Sequence, residues 1–575
     1  MQIRSICYNA IKMFVKSIKK LLPILLLLFL TATLIYEAVA DTPTYDEPAN
    51  MAASYAYVYK NDFCLYPDNP PLVKMLSGIA LFPIQHKIIF PDHLEIYNNP
   101  QKFDLYQFGR EFLYKNGNPT REIIFLARLP NILFTIGIAF LLYLFALKLY
   151  GKNAALFALA LFALDPNIRG HGHILAFDLP LAFFMLLILY LTYLFYIKPQ
   201  RRVLFSFLIS ICFGLGLLTK FTFVFFAVIY FAGVLLVHVK QKKLLLLSII
   251  SISSILLWMF GLMTGYNQKN FDYDQTPLIE GANKSLSNNF SWQLIKKLPV
   301  PYYFRSGLQV MYTHNIVSQP AFLLGSVHAK NDWWYYFSFS FLLKTPIPTQ
   351  VVIYLIVFLL IRQLFLGKKL LIRNYFPFLV GASFFLLLIL FSHINNVYRY
   401  LFPSLVLFIL GASQYLSKNL SIARTRWLII ILGCWQLITS LLSFPYDLSY
   451  TNEATGIPPQ GYKYLSDSEV DWGQDLERLA IWLKNNKLEK ETITLSYLGT
   501  ADPLFYGIKY KPMQFEDLDK LKGLVAISVG NLTLGDWQIT STVNYQLGFT
   551  RAPLDGLRSQ KPEALIGKSI FVYKF

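Results

Sequence analysis

Eleven apolar runs, separated by short charged breaks, constrain this chain more than any other feature of its sequence. A helix needs about 20 apolar residues to cross the hydrocarbon core of a bilayer. Hydrophobic residues make up 55% of the 575 positions, which is typical of a polytopic α-helical membrane protein. The predicted spans lie near 21–40, 122–147, 153–169, 174–197, 203–219, 221–239, 244–264, 346–366, 374–392, 398–416 and 427–445.

Basic residues lie on one side of the predicted spans. Twenty of the 52 lysines and arginines fall in the N-terminal segment and in alternate breaks, which contain no Asp or Glu. The other 32 are balanced by 33 acidic residues. Because cytoplasmic loops are enriched in Lys and Arg, we expect a multi-pass inner (plasma) membrane protein with its N-terminus inside and its C-terminus outside. The net charge of +19 then requires no nucleic acid partner.

The topology places two long loops, 41–121 and 265–345, outside the membrane together with a soluble segment. The first loop contains PPLVKMLSGIALFPI, which is short for a span and is expected to form an interfacial helix. We expect residues 1–445 to form a transmembrane module. Residues 446–575 have a soluble composition, with three apolar strand patterns and one amphipathic helix pattern, and they predict a small extracytoplasmic α/β domain.

The amphipathic pattern is EVDWGQDLERLAIWLKNN, which predicts a helix with Trp472 and three leucines on one side. Its acidic residues resemble scattered calcium ligands. They lack the glycine and the terminal glutamate of an EF-hand loop, so a solvated helix start is the preferred interpretation. The acidic positions are Asp467, Glu469, Asp471 and Asp475.

Carboxylates stand at the outer ends of two predicted spans. Asp46 and Glu47 follow the first span within DTPTYDEPAN, and Asp178 opens the fourth span. Ionisable groups close to the apolar zone are costly and usually functional. A carboxylate can take a proton from an acceptor hydroxyl, so these three are candidate catalytic residues. The alternative is that Asp46 and Asp178 cap helices.

Cations stand at the same predicted face. Arg and Lys can hold a phosphate that departs from a sugar, although Arg128 and Lys220 could instead reach lipid headgroups. His171 and His173 could bind a divalent metal together with Asp178, but polar loop histidines are commoner, and a metal cofactor is left open. The candidate phosphate-binding cations are Arg128, Lys220, Lys344 and Arg399.

Several segments together resemble the polyprenyl-phosphate-dependent GT-C glycosyltransferases, specifically bacterial relatives of the protein O-mannosyltransferase and aminoarabinose transferase group (glycosyltransferase family 39). No single segment is specific, but their order matches that of the family. These segments are TYDEPAN, DNPPLVKMLSG, FLARLP, HGHILAFDLPLAFF, GLGLLTKFTF, NDWWYYFSFSFLLKTPIP, VYRYLFPSLVLF and DSEVDWGQDLERL.

The resemblance implies that helices of the first outer loop cover a cavity at the outer membrane face. It implies Asp46 as the base, with Glu47 beside it and Asp178 at a second acidic position. Basic positions suited to the lipid phosphate are matched by Arg128, Lys220 and Arg399, and Lys344 and Lys74 are further candidates. Relatives often have His-Pro-Pro where this chain has Asn69-Pro70-Pro71, so no histidine role is expected there.

The predicted function is the transfer of a sugar from a polyprenyl-phosphate donor to a lipid, glycan or protein acceptor on the extracytoplasmic side. One carboxylate base without a second nucleophile predicts direct displacement, and hence inversion. A membrane transporter or lipid-linked-sugar flippase is the first alternative, although the charges cluster at one face and no duplicated halves are evident. A non-enzymatic assembly or receptor protein is the second alternative.

Overall fold

The structure is a computed structural model that describes residues 2–236, 242–316, 321–328, 333–367, 372–394, 397–418, 423–513, 521–534 and 554–575. Lys240, Lys368 and Lys369, which contribute to the predicted charge asymmetry, lie outside the described residues.

The first helix leads from the membrane into the first outer loop. Leu26, Leu30 and Leu34 of this helix are buried in the bundle, whereas Leu25 and Leu28 are exposed, as expected for a helix with one face toward lipid. The elements of this region are α1 (Gln2–Ala40), α2 (Glu47–Tyr55), α3 (Leu72–Ala80), α4 (Glu95–Asn98) and α5 (Leu105–Arg110). Helix α3 accounts for the predicted helix in PPLVKMLSGIALFPI.

Seven helices follow before the second outer loop. They are α6 (Thr120–Tyr150), α7 (Lys152–Ala163), α8 (Pro166–Gly172), α9 (Asp178–Ile197), α10 (Arg202–Leu217), α11 (Phe223–Leu236) and α12 (Lys242–Met263). The second outer loop contains α13 (Pro277–Ser285), α14 (Phe290–Lys297), α15 (Tyr302–Ile316), the antiparallel strands β1 (Ala321–Leu323) and β2 (Ser326–His328), and α16 (Tyr336–Lys344).

The membrane module ends with α17 (Ile347–Phe365), α18 (Ile372–Phe391), α19 (Phe402–Lys418) and α20 (Ala423–Ser443). Among the described residues, seven helices are long and apolar enough to cross a membrane, and three further apolar helices are shorter. Each of the eleven predicted spans coincides with a helix. Helix α19 is buried around its whole circumference between Leu405 and Leu410, as expected at the centre of a bundle.

The C-terminal segment forms a small α/β unit. Its elements are α21 (Leu476–Asn485), β3 (Ile493–Ser496), β4 (Tyr510–Pro512), β5 (Leu524–Ser528), α22 (Val529–Leu534), α23 (Asp555–Ser559), β6 (Ala564–Ile566) and β7 (Ile570–Lys574). The strand order is β4-β3-β5-β7-β6, in which β3 is parallel to β4 and β5, and β7 is antiparallel to β5 and β6. The predicted fold class, a helical membrane protein with a small α/β domain, is confirmed.

The third predicted span, 153–169, is interrupted. The Asp165 side chain accepts a hydrogen bond from the Asn167 backbone N–H (2.9 Å), and Pro166 occupies the first helical position, so a new helix begins there. The resulting α8 is buried along its length. Its Gly170 lies so close to Leu448 that a Cβ atom would stand 2.5 Å from the Leu448 nitrogen. Only glycine permits this close approach of the backbones.

The predicted solvated helix start in the C-terminal unit is wrong. Glu469, Asp471 and Asp475 are each at most 1% exposed. Helix α21 begins at Leu476, so Trp472 precedes the helix and does not share its apolar side. Glu469 is buried against the membrane module, whereas Asp471 and Asp475 are buried within the C-terminal unit itself. A helical pattern reveals neither set of tertiary contacts.

Candidate active site at the outer ends of the spans

Asp46 lies at the start of α2 with its side chain directed away from that helix. Its backbone carbonyl begins the first turn by accepting from Asn50 N–H (3.0 Å), but its carboxylate makes no capping bond. Instead, Oδ1 accepts from the hydroxyls of Tyr66 (2.9 Å) and Tyr106 (3.4 Å). Burial raises the pKa of Asp46, and Arg399 and the two phenols oppose this shift. Asp46 is partly exposed, so it is a reachable proton acceptor with a raised pKa.

Glu47, the next residue, has the opposite environment. It is fully buried and forms a bidentate ion pair with Arg128, with Nε–Oε1 and Nη2–Oε2 distances of 2.9 and 2.6 Å. The backbone N–H groups of Leu175 and Thr44 also donate to its carboxylate. Burial works to raise the pKa of Glu47, but Arg128 and the two backbone donors hold it below its usual value.

Arg128 has no donor left for a ligand. Its remaining N–H groups are directed to the carbonyl oxygens of Ala38 and Asp41 (both 2.9 Å) and Thr42 (3.3 Å). A guanidinium has five N–H donors, and all five are used inside the protein. These contacts hold α6 against the end of α1 and favour a structural role, and the phosphate-binding role of Arg128 and the catalytic role of Glu47 stay predictions.

The second acidic position faces two cations. Asp178, the first residue of α9, forms ion pairs with Lys220 in the turn between α10 and α11 and with Arg399 (Oδ2–Nε 3.5 Å). Burial lowers the pKa of Lys220, and Asp178 opposes this shift. Tyr400 lies under the Lys220 ammonium, 3.8 Å from ring centre to nitrogen. Asp178 thereby links the two cations, and Asp46 and Asp68 add further negative charge near them.

Arg399 retains a free donor. Its Nη1 is buried and has no hydrogen-bond partner within the described part of the chain. The charge of Arg399 acts on both Asp46 and Asp178, so the predicted base and the second acidic position share this cation. A buried guanidinium nitrogen without a partner is costly, and an anionic ligand would satisfy it.

The other two candidate cations, Lys74 and Lys344, donate hydrogen bonds to groups of the protein. Lys74 donates to the carbonyls of Tyr66 and Asn69 and to the Tyr57 hydroxyl, which are as many contacts as an ammonium has donors. Burial lowers its pKa to about 7, and Asp68 opposes this shift. Lys74 therefore holds the loop that carries Tyr66.

Lys344 is fixed in a similar way. It donates to the carbonyls of Glu469 and Leu448, and its Nζ lies 3.9 Å from the Glu469 Oε2. Burial lowers the Lys344 pKa to about 8, with Glu469 opposing this shift. These contacts favour a structural role for Lys344, because they leave the ammonium buried against the C-terminal unit.

The two candidate metal ligands face different partners. His171 Nδ1 lies 3.0 Å from the Asn167 carbonyl oxygen. His173 Nε2 lies 3.2 Å from Asp41 Oδ2. Among the residues that the structure describes, no three His, Cys, Asp or Glu side chains form a metal-binding group. The metal role of this pair stays a prediction without a ligand set to support it.

Three contributors to the site were missed from the sequence. Tyr66 and Tyr106 hydrogen-bond Asp46, and Trp472 packs its ring 3.9 Å beneath the Arg399 guanidinium. Tyr66 lies just before the segment DNPPLVKMLSG and Trp472 lies within DSEVDWGQDLERL, and both segments carry the resemblance, which was a usable signal. Tyr106 carried no local signal, because only the tertiary fold brings it to Asp46.

Residues 121–263 match the family model described as dolichyl-phosphate-mannose-protein mannosyltransferase. The matched segment covers a minority of the chain. It runs from α6 to the end of α12 and carries Arg128, Asp178 and Lys220. The predicted resemblance to the GT-C glycosyltransferases is confirmed. No curated protein matches the sequence.

Three solved structures are similar over most of the chain. The Archaeoglobus fulgidus oligosaccharyltransferase, in its apo form, gives a TM-score of 0.43 at 12% identity and covers 81% of this chain and 58% of its own. ArnT from Cupriavidus metallidurans, in the apo state, gives 0.32 at 12%, covering 96% and 97%. AglB from Archaeoglobus fulgidus, in complex with an inhibitory peptide and a dolichol-phosphate, gives 0.42 at 10%, covering 96% and 76%.

The chain thus spans a little over half the length of the first of these structures. The three TM-scores lie below 0.5, so the resemblance is carried by the matched segment 121–263.

Proposed function

We propose that this protein is an integral-membrane glycosyltransferase that moves a sugar from a polyprenyl-phosphate donor to an acceptor hydroxyl on the extracytoplasmic side. One observation carries the proposal. A partly exposed carboxylate of raised pKa, Asp46, shares Arg399 with Asp178, and the buried Nη1 of this arginine has no hydrogen-bond partner in the described chain. A base beside an anion-binding site suits a transfer in which the leaving group is a phosphate.

In the proposed step, the acceptor oxygen attacks the anomeric carbon while the bond from that carbon to the phosphate oxygen breaks. The acceptor proton passes to Asp46, and the electron pair of the broken bond stays on the departing polyprenyl phosphate. Arg399 and Lys220 stabilise the charge of that phosphate, and Asp178 positions both cations. Direct displacement inverts the anomeric configuration.

The proposal assigns the five candidate cations to two groups. Arg399 and Lys220 face the substrate, whereas Arg128, Lys74 and Lys344 hold the outer loops. Catalysis by electrostatics needs donors that are preorganised yet unsatisfied before the ligand arrives. A donor set that is already complete, such as that of Arg128, gains nothing from a phosphate. The acceptor class, whether lipid, glycan or protein, and any extracytoplasmic partner stay predictions.

The test uses purified protein in detergent with a panel of polyprenyl-phosphate sugars. Thermal stability and release of free polyprenyl phosphate are measured for wild type and for Asp46→Asn. A donor at about 100 times its Kd stabilises the folded protein by roughly 2.7 kcal/mol. We expect one donor to stabilise both proteins and only wild type to release polyprenyl phosphate. Stabilisation by no donor would overturn the proposal, and stabilisation without release by wild type would favour a flippase or transporter.

A further inference from the structure

The segment 469–474 of the C-terminal unit, called the strap here, lies against two parts of the candidate site, the one that carries Asp46 and the one that carries Arg399. Its sequence, EVDWGQ, belongs to the motif whose acidic residues were expected in solvent. In the structure the strap contacts the residues just before Asp46 on one side and the residues around Arg399 on the other.

On the side of the base, the contact is made by backbone hydrogen bonds. Tyr45 N–H donates to the Trp472 carbonyl (2.9 Å), and Thr42 N–H donates to the Gln474 carbonyl (3.0 Å). Outside the strap, the Thr500 hydroxyl donates to the Tyr45 carbonyl (2.6 Å). Residues 42–45 thereby obtain hydrogen-bond partners from the C-terminal unit, and the position of Asp46 depends on them.

On the side of Arg399, the strap contacts both the backbone next to this residue and its guanidinium group. The Glu469 carboxylate accepts from Tyr398 N–H, immediately before Arg399. The Trp472 ring lies 3.9 Å from the Arg399 guanidinium carbon and is 5% exposed. A buried indole face under a guanidinium is a strong form of the cation–π contact.

The strap itself is fixed by the sheet of the C-terminal unit. Asp471 accepts from the backbone N–H groups of Gly530 (3.0 Å) and Gly473 (3.1 Å). Gly473 has φ of +90°, and a Cβ there would stand 2.7 Å from the Leu498 carbonyl oxygen. The turn that presents Trp472 therefore requires glycine at this position.

We infer that Trp472 is a positioning residue that holds the Arg399 guanidinium in the orientation in which its free nitrogen meets the donor phosphate. The C-terminal unit is then a part of the transfer site and not an independent binding module. This inference rests on the proposed function for its effect on turnover, but the placement of Arg399 is testable without any substrate.

The first arm of the test measures the rate at which phenylglyoxal modifies Arg399, by mass spectrometry of intact full-length protein. Trp472→Leu keeps an apolar side chain and removes the aromatic face, whereas Trp472→Phe keeps a smaller face. Trp482→Leu, in α21 of the same unit and away from the site, is the matched control. We expect Arg399 to react about tenfold faster in Trp472→Leu, less than that in Trp472→Phe, and at the wild-type rate in Trp482→Leu.

The second arm measures release of polyprenyl phosphate from the donor that wild type uses. We expect Trp472→Leu to raise KM for the donor about tenfold, with partial rescue in Trp472→Phe. Equal Arg399 reactivity in wild type and a folded Trp472→Leu would overturn the inference, and so would equal donor KM. If Trp472→Leu does not fold, Trp472→Phe decides by the same two measurements. A wild type that uses no donor contradicts the proposed function alone, since the first arm still tests the position of Arg399.

Discussion

The Glu47–Arg128 pair and the Asp178–Lys220–Arg399 cluster both combine carboxylates with cations. They differ in how many of their hydrogen-bond donors have partners within the described chain. In the pair, both side chains are 0% exposed and every guanidinium donor has a protein partner. In the cluster, two cations share one carboxylate, and Arg399 keeps a buried nitrogen without a partner in the described chain.

The difference teaches that the number of free donors, rather than charge or burial, separates a structural ion pair from a ligand site. A satisfied buried pair has already offset its desolvation and has no reason to bind an anion. An unsatisfied cation cluster retains part of its desolvation cost until a ligand arrives. Asp46 and Glu47 show the same contrast in adjacent residues, because only Asp46 has a carboxylate that solvent can reach.

The largest expected effect separates Asp46 from Glu47. Asp46→Asn should lower turnover by about 10²–10⁴-fold, the usual contribution of a general base, while leaving the thermal midpoint near that of wild type. Glu47→Gln should instead lower the thermal midpoint, because it leaves Arg128 buried without its counter-charge. Turnover and thermal unfolding of both variants check this. A Glu47→Gln protein that is stable but inactive would move the base assignment to Glu47.

The next largest effect is a difference between Arg128 and Arg399 in the folding free energy that each contributes. Arg128→Gln leaves Glu47 buried and unpaired, which should cost about 3–5 kcal/mol of folding free energy. Arg399→Gln leaves Asp178 paired with Lys220, so its thermal midpoint should fall by less than that of Arg128→Gln. Both are measured by thermal unfolding in the same detergent. Equal losses of stability in the two variants would show that Arg399 is as important for folding as Arg128.

A pH profile sharpens the role of Asp46. Its pKa is raised, chiefly by burial, and only the deprotonated carboxylate can accept a proton. Turnover should therefore fall by about tenfold per pH unit below that pKa, with a midpoint above the value of about 3.9 for an exposed Asp. Above the midpoint the rate should level off. The residual rate of Asp46→Asn should lack this acidic limb, and its persistence in the variant would assign the limb to another group.

The smallest effect is expected for a substitution of Arg399 that keeps the positive charge and changes only the shape of the charged group. Arg399→Lys retains a cation but loses the planar fork that can meet two phosphate oxygens. The donor KM should rise by less than about tenfold, and the folded protein should be as stable as wild type. A KM increase as large as that of Arg399→Gln would show that the guanidinium shape, and not the charge, is what the phosphate requires.

Hydropathy, charge and the order of the motifs predicted much of the fold and supplied most residues of the candidate site. Each apolar run is helical in the described residues, although the third run is divided between α7 and α8, because a bilayer requires backbone groups to be satisfied within each span. The site residues predicted from their places at the ends of these runs were Asp46, Asp178, Arg128, Lys220, Lys344 and Arg399. Among the candidate cations, the structure gives Arg128, Lys74 and Lys344 a full or nearly full set of protein partners.

By itself, then, the sequence determined the helical membrane architecture, the small α/β domain and the set of ionisable groups at the ends of the spans, since these depend on local composition and spacing. Only the tertiary structure decided which cations are free, which carboxylate is reachable, and that Trp472 lies under Arg399. The physical reason is that donor satisfaction and desolvation depend on partners distant in the chain. Asp471 and Asp475 look like solvated charges in a helical pattern, but the folded C-terminal unit buries them against residues distant in the sequence.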